Sequence, residues 1–341
     1  MANAIARSNS VTVGNQDVAL LKSTMVGRGP ISDIAVDADT VVVSNFRDDS
    51  IAVLDADTLA VHGGVFAGQP TTVAVSDDRA FVAVSSASYD AIAVIDTVNG
   101  DVLKEYPLSF NVTAVATSPD GKRIYAGRAG EDGVDVAVID VPAERVGTIY
   151  VSKGADATID ALCLDATGRR LYVAVSDARS SRLLTVDVES SRVRNTLEIG
   201  APIRGLELGM DSTAYVLTSD IADGGALHFV DLIKNRITGM VTVAQAPTQL
   251  ALSDDGAHAY VVDYDHVAVI DTDDRSVVTT VSVGARPSAI ALRGDRLYVA
   301  DYDGGVSAYA VASPMPMLYS QFVAAPSVVA PTSRELTPAG A

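Results

Sequence analysis

Tryptophan is absent from this 341-residue chain, and cysteine occurs once. A single cysteine, Cys163, cannot close a disulfide within the chain. It sits in the alternating run IDALCLD, where it reads as a small packed apolar residue rather than a reactive thiol. Histidine is nearly as scarce, with four in all. Lys and Arg number 25 against 43 Asp and Glu, a formal net charge of −18. Such an acid excess repels phosphate backbones and anionic lipid, so the sequence predicts no nucleic-acid partner and no membrane contact. No apolar run reaches the 18 residues of a membrane span. The opening MANAIARSNSVTVGNQ lacks the apolar centre of a signal peptide, which predicts a cytoplasmic protein; a secreted chain trimmed of its leader would read the same.

Valine and alanine are abundant, and they come in short runs bounded by Asp, Gly or Pro. The clearest stretch is AYVVDYDHVAVIDTDDRSVVTTVSVGARPSAIAL, residues 259–292. It holds three apolar runs, and a fourth follows Pro287. Recast forms recur along the chain. One run of each unit ends in Asp, at Asp55, Asp96, Asp140, Asp187, Asp231 and Asp271, spaced 40–47 residues apart. A seventh unit reaches the same place near Ala310 without the acid. A second run carries an aromatic in six of its seven copies, as in AFVAVS, IYAGRA and LYVAVS.

Four short strands, a to d, per period of about 40–45 residues is the pattern of a propeller blade. The runs are nearly continuous rather than alternating, as expected of sheets buried on both faces. One such sheet cannot cover itself, so the array must close into a ring. The expectation is an all-β, seven-bladed propeller over residues 17–312. Residues 1–16 read as a flexible lead-in, and the Pro- and Ala-rich 313–341 as a tail. The run DVALLKSTMVG resembles the last strand of a unit whose other strands are missing. It is expected to join blade seven and seal the ring. The alternative closing strand is Met317–Val323.

The unit Ala259–Gly304, with the echo SPDGKRIYAG at Ser118–Gly127, resembles the YVTN-type β-propeller repeat of bacteria and archaea, in particular its seven-bladed actinobacterial members. The resemblance covers most of Gly27–Ala310. It implies the propeller fold and implies little about activity, because such propellers occur in surface-layer proteins, redox-enzyme relatives and lactonase relatives alike.

In such a blade the b–c loops and d–a connections share one face, here the upper one, and the a–b and c–d turns share the other. Asp and Gly on the lower face serve turn geometry. Variable loops on a rigid ring are where binding residues belong. The predicted rim comprises Arg28, Arg47, Asp48, Arg128, Asp132, Arg179, Arg204, Asp263, Asp265, Arg286, Asp301 and Asp303. Within it, Arg204, Gln249 and Arg286 are read as d–a loop residues, and Gly127–Asp135 as one long b–c loop. A solvated, mutually paired charged rim would present the same residues.

No Gly-x-Ser-x-Gly or Cys–His arrangement is present, no phosphate-cradling Gly-rich loop, and no catalytic residue is assigned. A lactonase-like hydrolase at the channel mouth is the alternative, with Arg204, Arg286 and Asp160 as its candidates. His62, His228, His258 and His266 fall on different blade positions, so no metal site is assigned. An EF-hand pattern begun at Asp301 fails at Ala312, which leaves a weak cation site near Asp263 and Asp301 as a lesser reading. No cofactor is expected. The leading expectation is a monomeric, non-catalytic scaffold that binds a protein partner through its rim.

Overall fold

The computed structural model describes residues 18–311 apart from 67, 109, 110, 155, 223 and 285. The predicted lead-in, the C-terminal tail and Met317–Val323 lie outside the described residues. Within them are 28 strands in seven antiparallel four-stranded sheets, and no helix. Six blades are sequential four-strand meanders. Blade 1 starts at Ile31–Asp37, blade 2 at Gln69–Ser76, blade 3 at Val112–Thr117, blade 4 at Thr158–Leu164, blade 5 at Ile203–Leu208 and blade 6 at Pro247–Leu252. Blade 7 takes Pro287–Arg293, Arg296–Asp301 and Gly305–Ala310 from the end of the chain, and Ala19–Met25 from its beginning.

That closing strand runs antiparallel to Gly305–Ala310, from Ala19 opposite Ala310 to Met25 opposite Gly305. Its side chains are almost all exposed, so the backbone ladder carries the attachment. At the seam the Val26 N–H donates to the Gly304 carbonyl over 3.0 Å. The chain passes so close there that a Cβ built on Gly29 would lie 1.8 Å from the Tyr302 carbonyl oxygen.

Seven apolar clusters fill the seven interfaces between neighbouring blades. The repeated aromatic of each b strand explains itself here. Phe81, Tyr125, Tyr172, Tyr215, Tyr260 and Tyr298 each pack toward the following blade and are almost completely buried. In blade 1 the equivalent residue is Val42, and the interface between blades 1 and 2 is wholly aliphatic. Burying a side chain of Val or Phe size contributes about 1.5–3 kcal/mol, and every blade contributes on both faces.

The repeated Asp closes the c–d turn. Each copy accepts backbone N–H groups two or three residues on, as at Thr58, Val98, Ala143, Ser190, Ile233 and Asp273. Side-chain and backbone donors hold Asp55, Asp187 and Asp231 below the usual carboxylate range, and backbone donors do so for Asp96. Four residues after each Asp the chain turns left-handed, at Leu59, Gly100, Glu144, Ser191, Asn235 and Arg275, with φ between 49° and 76°. Five of those six are not glycine, so the turn imposes the conformation on residues that resist it.

Candidate functional site on the upper rim and in the channel

The rim is built mostly from b–c loops, and the structure divides its predicted residues sharply. Asp48 accepts the Arg28 backbone N–H over 2.6 Å, while the Arg28 and Arg47 side chains stand exposed. Residues 127–135 are not one long loop. The strands Arg123–Gly130 and Gly133–Asp140 run on into a tight hairpin with Glu131 and Asp132 at its tip. Arg128 and Asp135 are therefore cross-strand partners, joined by a 2.7 Å ion pair that is largely screened from solvent. The Arg179 N–H donates to Asp177, which also pairs with Arg182 over 2.9 Å. Asp263 is buried and accepts the Ala246 N–H over 3.1 Å. Asp301 accepts from the backbones of Asp303 and Gly305. Asp265 meets His266 over 2.8 Å. Among the described residues no group of three His, Cys, Asp or Glu is placed to hold a metal ion.

Arg286 is the exception to this local pairing. Its guanidinium lies between two tyrosine rings, 4.4 Å from the centroid of Tyr264 and 4.6 Å from that of Tyr302. Its carbonyl accepts the Tyr302 N–H over 3.0 Å. Both rings are exposed. They belong to a wider set that charge-based reading missed: Phe46, Tyr89, Ile221, Tyr264 and Tyr302 are exposed large apolar or aromatic residues, each at a b–c tip. The signal was present in the sequence as one bulky residue inside each of these polar loops.

Inside the ring, every inner strand carries a β-bulge at its upper end, as at Ile31/Asp33, Val112/Ala114 and Ile203/Gly205. A bulge re-aims side chains. Here it sets one residue per blade around the mouth: Ser32, Thr71, Thr113, Asp160, Arg204, Thr248 and Ser288. Arg204 and Gln249 thus belong to inner strands, not to d–a loops as the sequence suggested. Thr113 donates to the Ile159 carbonyl of the next blade over 2.7 Å. Burial raises the Asp160 carboxyl, and hydrogen bonds and Arg204 of the neighbouring blade pull less strongly the other way. Arg204 therefore sits by Asp160 in blades 4 and 5, whereas Arg286 is held by the tyrosines of blades 6 and 7.

A belt of side chains ties four blades together just below. Gln249 of blade 6 accepts the Ile290 N–H of blade 7 over 2.8 Å and donates to Asp33 of blade 1 over 3.2 Å. Asp33 also accepts from Ile34 of its own strand, and from the Thr72 hydroxyl and Val73 N–H of blade 2, at 2.9–3.0 Å. Burial pushes the Asp33 carboxyl up, against the pull of those four donors. Deeper still, Glu207 lines the channel and accepts no hydrogen bond from any described residue; burial pushes its carboxyl up to about 7. Cys163 lies beside it on blade 4, its thiol pushed far above the ordinary range by burial and by the nearby acids.

No family model matches the chain. It is 52% identical over 304 residues to a "Seven-bladed beta-propeller protein" of Mycolicibacterium smegmatis, an alignment covering 88% of this chain and 83% of the relative. It is 30% identical over 336 residues to the "Seven-bladed beta-propeller protein Rv1057" of Mycobacterium tuberculosis, covering 86% and 85%. Among solved structures, Kuenenia stuttgartiensis hydrazine synthase superposes with a TM-score of 0.75 at 18% identity, covering 85% of this chain and 97% of that one. At that identity the likeness speaks for the fold alone.

Proposed function

Because the chain belongs to the family of mycobacterial seven-bladed β-propeller proteins, we propose that it acts as a non-catalytic platform whose upper rim binds a protein partner. The repeat of YVTN type fits this reading, since it supplies a rigid ring and leaves the loops free to vary. The observation that carries it is the distribution of exposed bulk. Phe46, Tyr89, Ile221, Tyr264 and Tyr302 stand at five b–c tips on one face, around an arginine held between two rings. Aromatic residues and arginine are the types enriched at the centres of protein interfaces. The predicted carboxylates and arginines around them are largely paired with their own loops, which suits a polar rim around apolar anchors.

The channel mouth supports the same reading. Five of its seven bulge positions are Ser or Thr, and Arg204, Arg286 and Asp160 do not meet as one reactive set. The test is capture of partners from source-cell extract by three proteins of matched melting temperature. These are the wild type, a rim variant (Arg286→Ala with Tyr264→Ser and Tyr302→Ser) and a lower-face variant (Val98→Ser with Met210→Ser and Ile233→Ser). A partner held by the wild type and the lower-face variant, and lost by the rim variant, supports the proposal. A partner lost only by the lower-face variant, or no specific partner at all, overturns it.

A further inference from the structure

We propose that the central channel binds a small neutral cyclic polyol, a free monosaccharide or a cyclitol, whose hydroxyl groups bridge Arg204 and Glu207.

The channel holds a cavity of about 340 Å³ lined by inner-strand residues of several blades. That volume is in the range of sites for small molecules, and its open wall is mostly polar. Two of its polar groups come from a single inner strand, Ile203–Leu208 of blade 5. Arg204 is exposed and Glu207 half-buried, so both are reached from the channel. Neither side chain has a hydrogen bond or an ion pair among the described residues. The other polar groups of the cavity are spent, since Asp33, Thr72 and Gln249 are bonded to one another and to backbone N–H groups in the belt. At the level of Glu207 the other blades carry Ala or Cys, and Ala116, Ala251 and Ala291 pack into the interfaces between blades. Glu207 is the one side chain of that level that brings a polar group to the channel.

The wall carries both signs of charge, and this decides the class of guest. Asp160 of the neighbouring blade attracts Arg204 without closing an ion pair with it. An anion drawn to Arg204 would meet Asp160 and Glu207, and a cation drawn to Glu207 would meet Arg204. A neutral molecule avoids both conflicts if it can accept from one group and donate to the other. A hydroxyl does both: its oxygen accepts from a guanidinium N–H, and its O–H donates to a carboxylate. The planar guanidinium and carboxylate groups can each engage two adjacent hydroxyls, and hydrogen bonds to charged groups are the stronger kind. Spacing favours a ring. Three residues of strand set the backbones of Arg204 and Glu207 about 10 Å apart. A six-membered ring with hydroxyls on opposite edges, and a hydrogen bond of about 2.8 Å at each end, serves both groups at once. A molecule with one hydroxyl serves one of them.

The probes are glucose, galactose, mannose and myo-inositol, titrated against the whole protein by saturation-transfer NMR. Cyclohexanol is the control ring with one hydroxyl, and glucuronate and glucosamine are the anionic and cationic controls. The expected result is that at least one of the four polyols binds at least tenfold tighter than every control. Arg204→Met and Glu207→Met keep the length of each side chain and remove its polar group, and each weakens that polyol at least fivefold. Glu207→Gln keeps an acceptor oxygen and holds binding within threefold of the wild type. The rim variant binds the polyol like the wild type, so this site and the rim reading stand or fall separately. No binding of any of the four polyols, a control that binds as tightly, or undiminished binding to either Met variant would each overturn the proposal.

Discussion

Glu207 should make this protein less stable as the pH rises through neutrality, against the trend set by the turn acids Asp55, Asp96, Asp187 and Asp231. Its carboxyl is moved from an ordinary 4.5 to about 7 by burial alone. Between those values the folded chain keeps a proton that the unfolded chain has released. Stability therefore falls as pH rises across the window, and the penalty is complete above pH 7. At about 1.36 kcal/mol per pH unit, the interval corresponds to about 3 kcal/mol. Glu207→Gln replaces a protonated acid by an amide of the same shape, so at pH 4.5 the two proteins should have nearly equal stability. At pH 8 the variant should be the more stable by about 3 kcal/mol. Urea unfolding of both proteins at steps from pH 4.5 to 8.5 reads this directly, because every other titrating group cancels in the difference. A difference that stays constant across the range, or a variant less stable at pH 8, would refute the half-buried, unpartnered acid.

The belt across the channel predicts that Asp33→Asn costs about 2–3 kcal/mol, since the amide turns a donor toward either Val73 and Thr72 or Ile34 and Gln249. Adding Gln249→Glu should restore part of that loss, because a carboxylate at 249, two blades away, accepts the new amide at position 33 as well as the Ile290 N–H; a double-mutant cycle in urea that finds additive losses would count against the belt. Gly29→Ala should cost about 2–4 kcal/mol and loosen the seam, because its Cβ meets a backbone carbonyl at 1.8 Å; an unchanged melting temperature would mean the strand Ala19–Met25 does not lie where it is described. Ser191→Gly should stabilise by about 0.5–1 kcal/mol, since Ser191 holds φ at 54° in a turn where glycine is unstrained. Thermal unfolding checks it, and a loss of stability would point to a role for the Ser191 side chain beyond the turn.

The ring was legible because its cause is local and repeated. A run such as YVVD or AVID is apolar on both faces, and only stacking on two neighbours hides both. The return of the N-terminal strand was legible for the same reason: ALLKSTM matches the outer strand of a unit and has no unit of its own. The limits of the reading were also physical. Bulges do not announce themselves in sequence, so Arg204 and Gln249 passed for loop residues when they belong to inner strands. The length of a hairpin depends on pairing across it, so Gly127–Asp135 passed for a loop when the Arg128–Asp135 pair continues the ladder.

The repeat itself offers a way to separate scaffold from site, because seven copies of one position form an internal comparison. Where the copies agree, the reason is mechanical. The c-strand Asp closes its turn, and the b-strand aromatic fills the next interface. Where one copy departs from the others, the fold gives no reason for the departure. Glu207 stands where the other blades have Ala or Cys, and Arg204 where most have Ser or Thr. Asp33 and Gln249 also depart, at a position where three blades have Ala, but their use is visible. They join blades 6 and 7 to blades 1 and 2 across the point where the ends of the chain meet. Once that structural use is taken away, Glu207, Arg204 and Asp160 remain as departures that the construction of the ring does not explain. They line the channel, whereas the stacked Arg286 stands on the rim, so substitutions at one place can be made without disturbing the other.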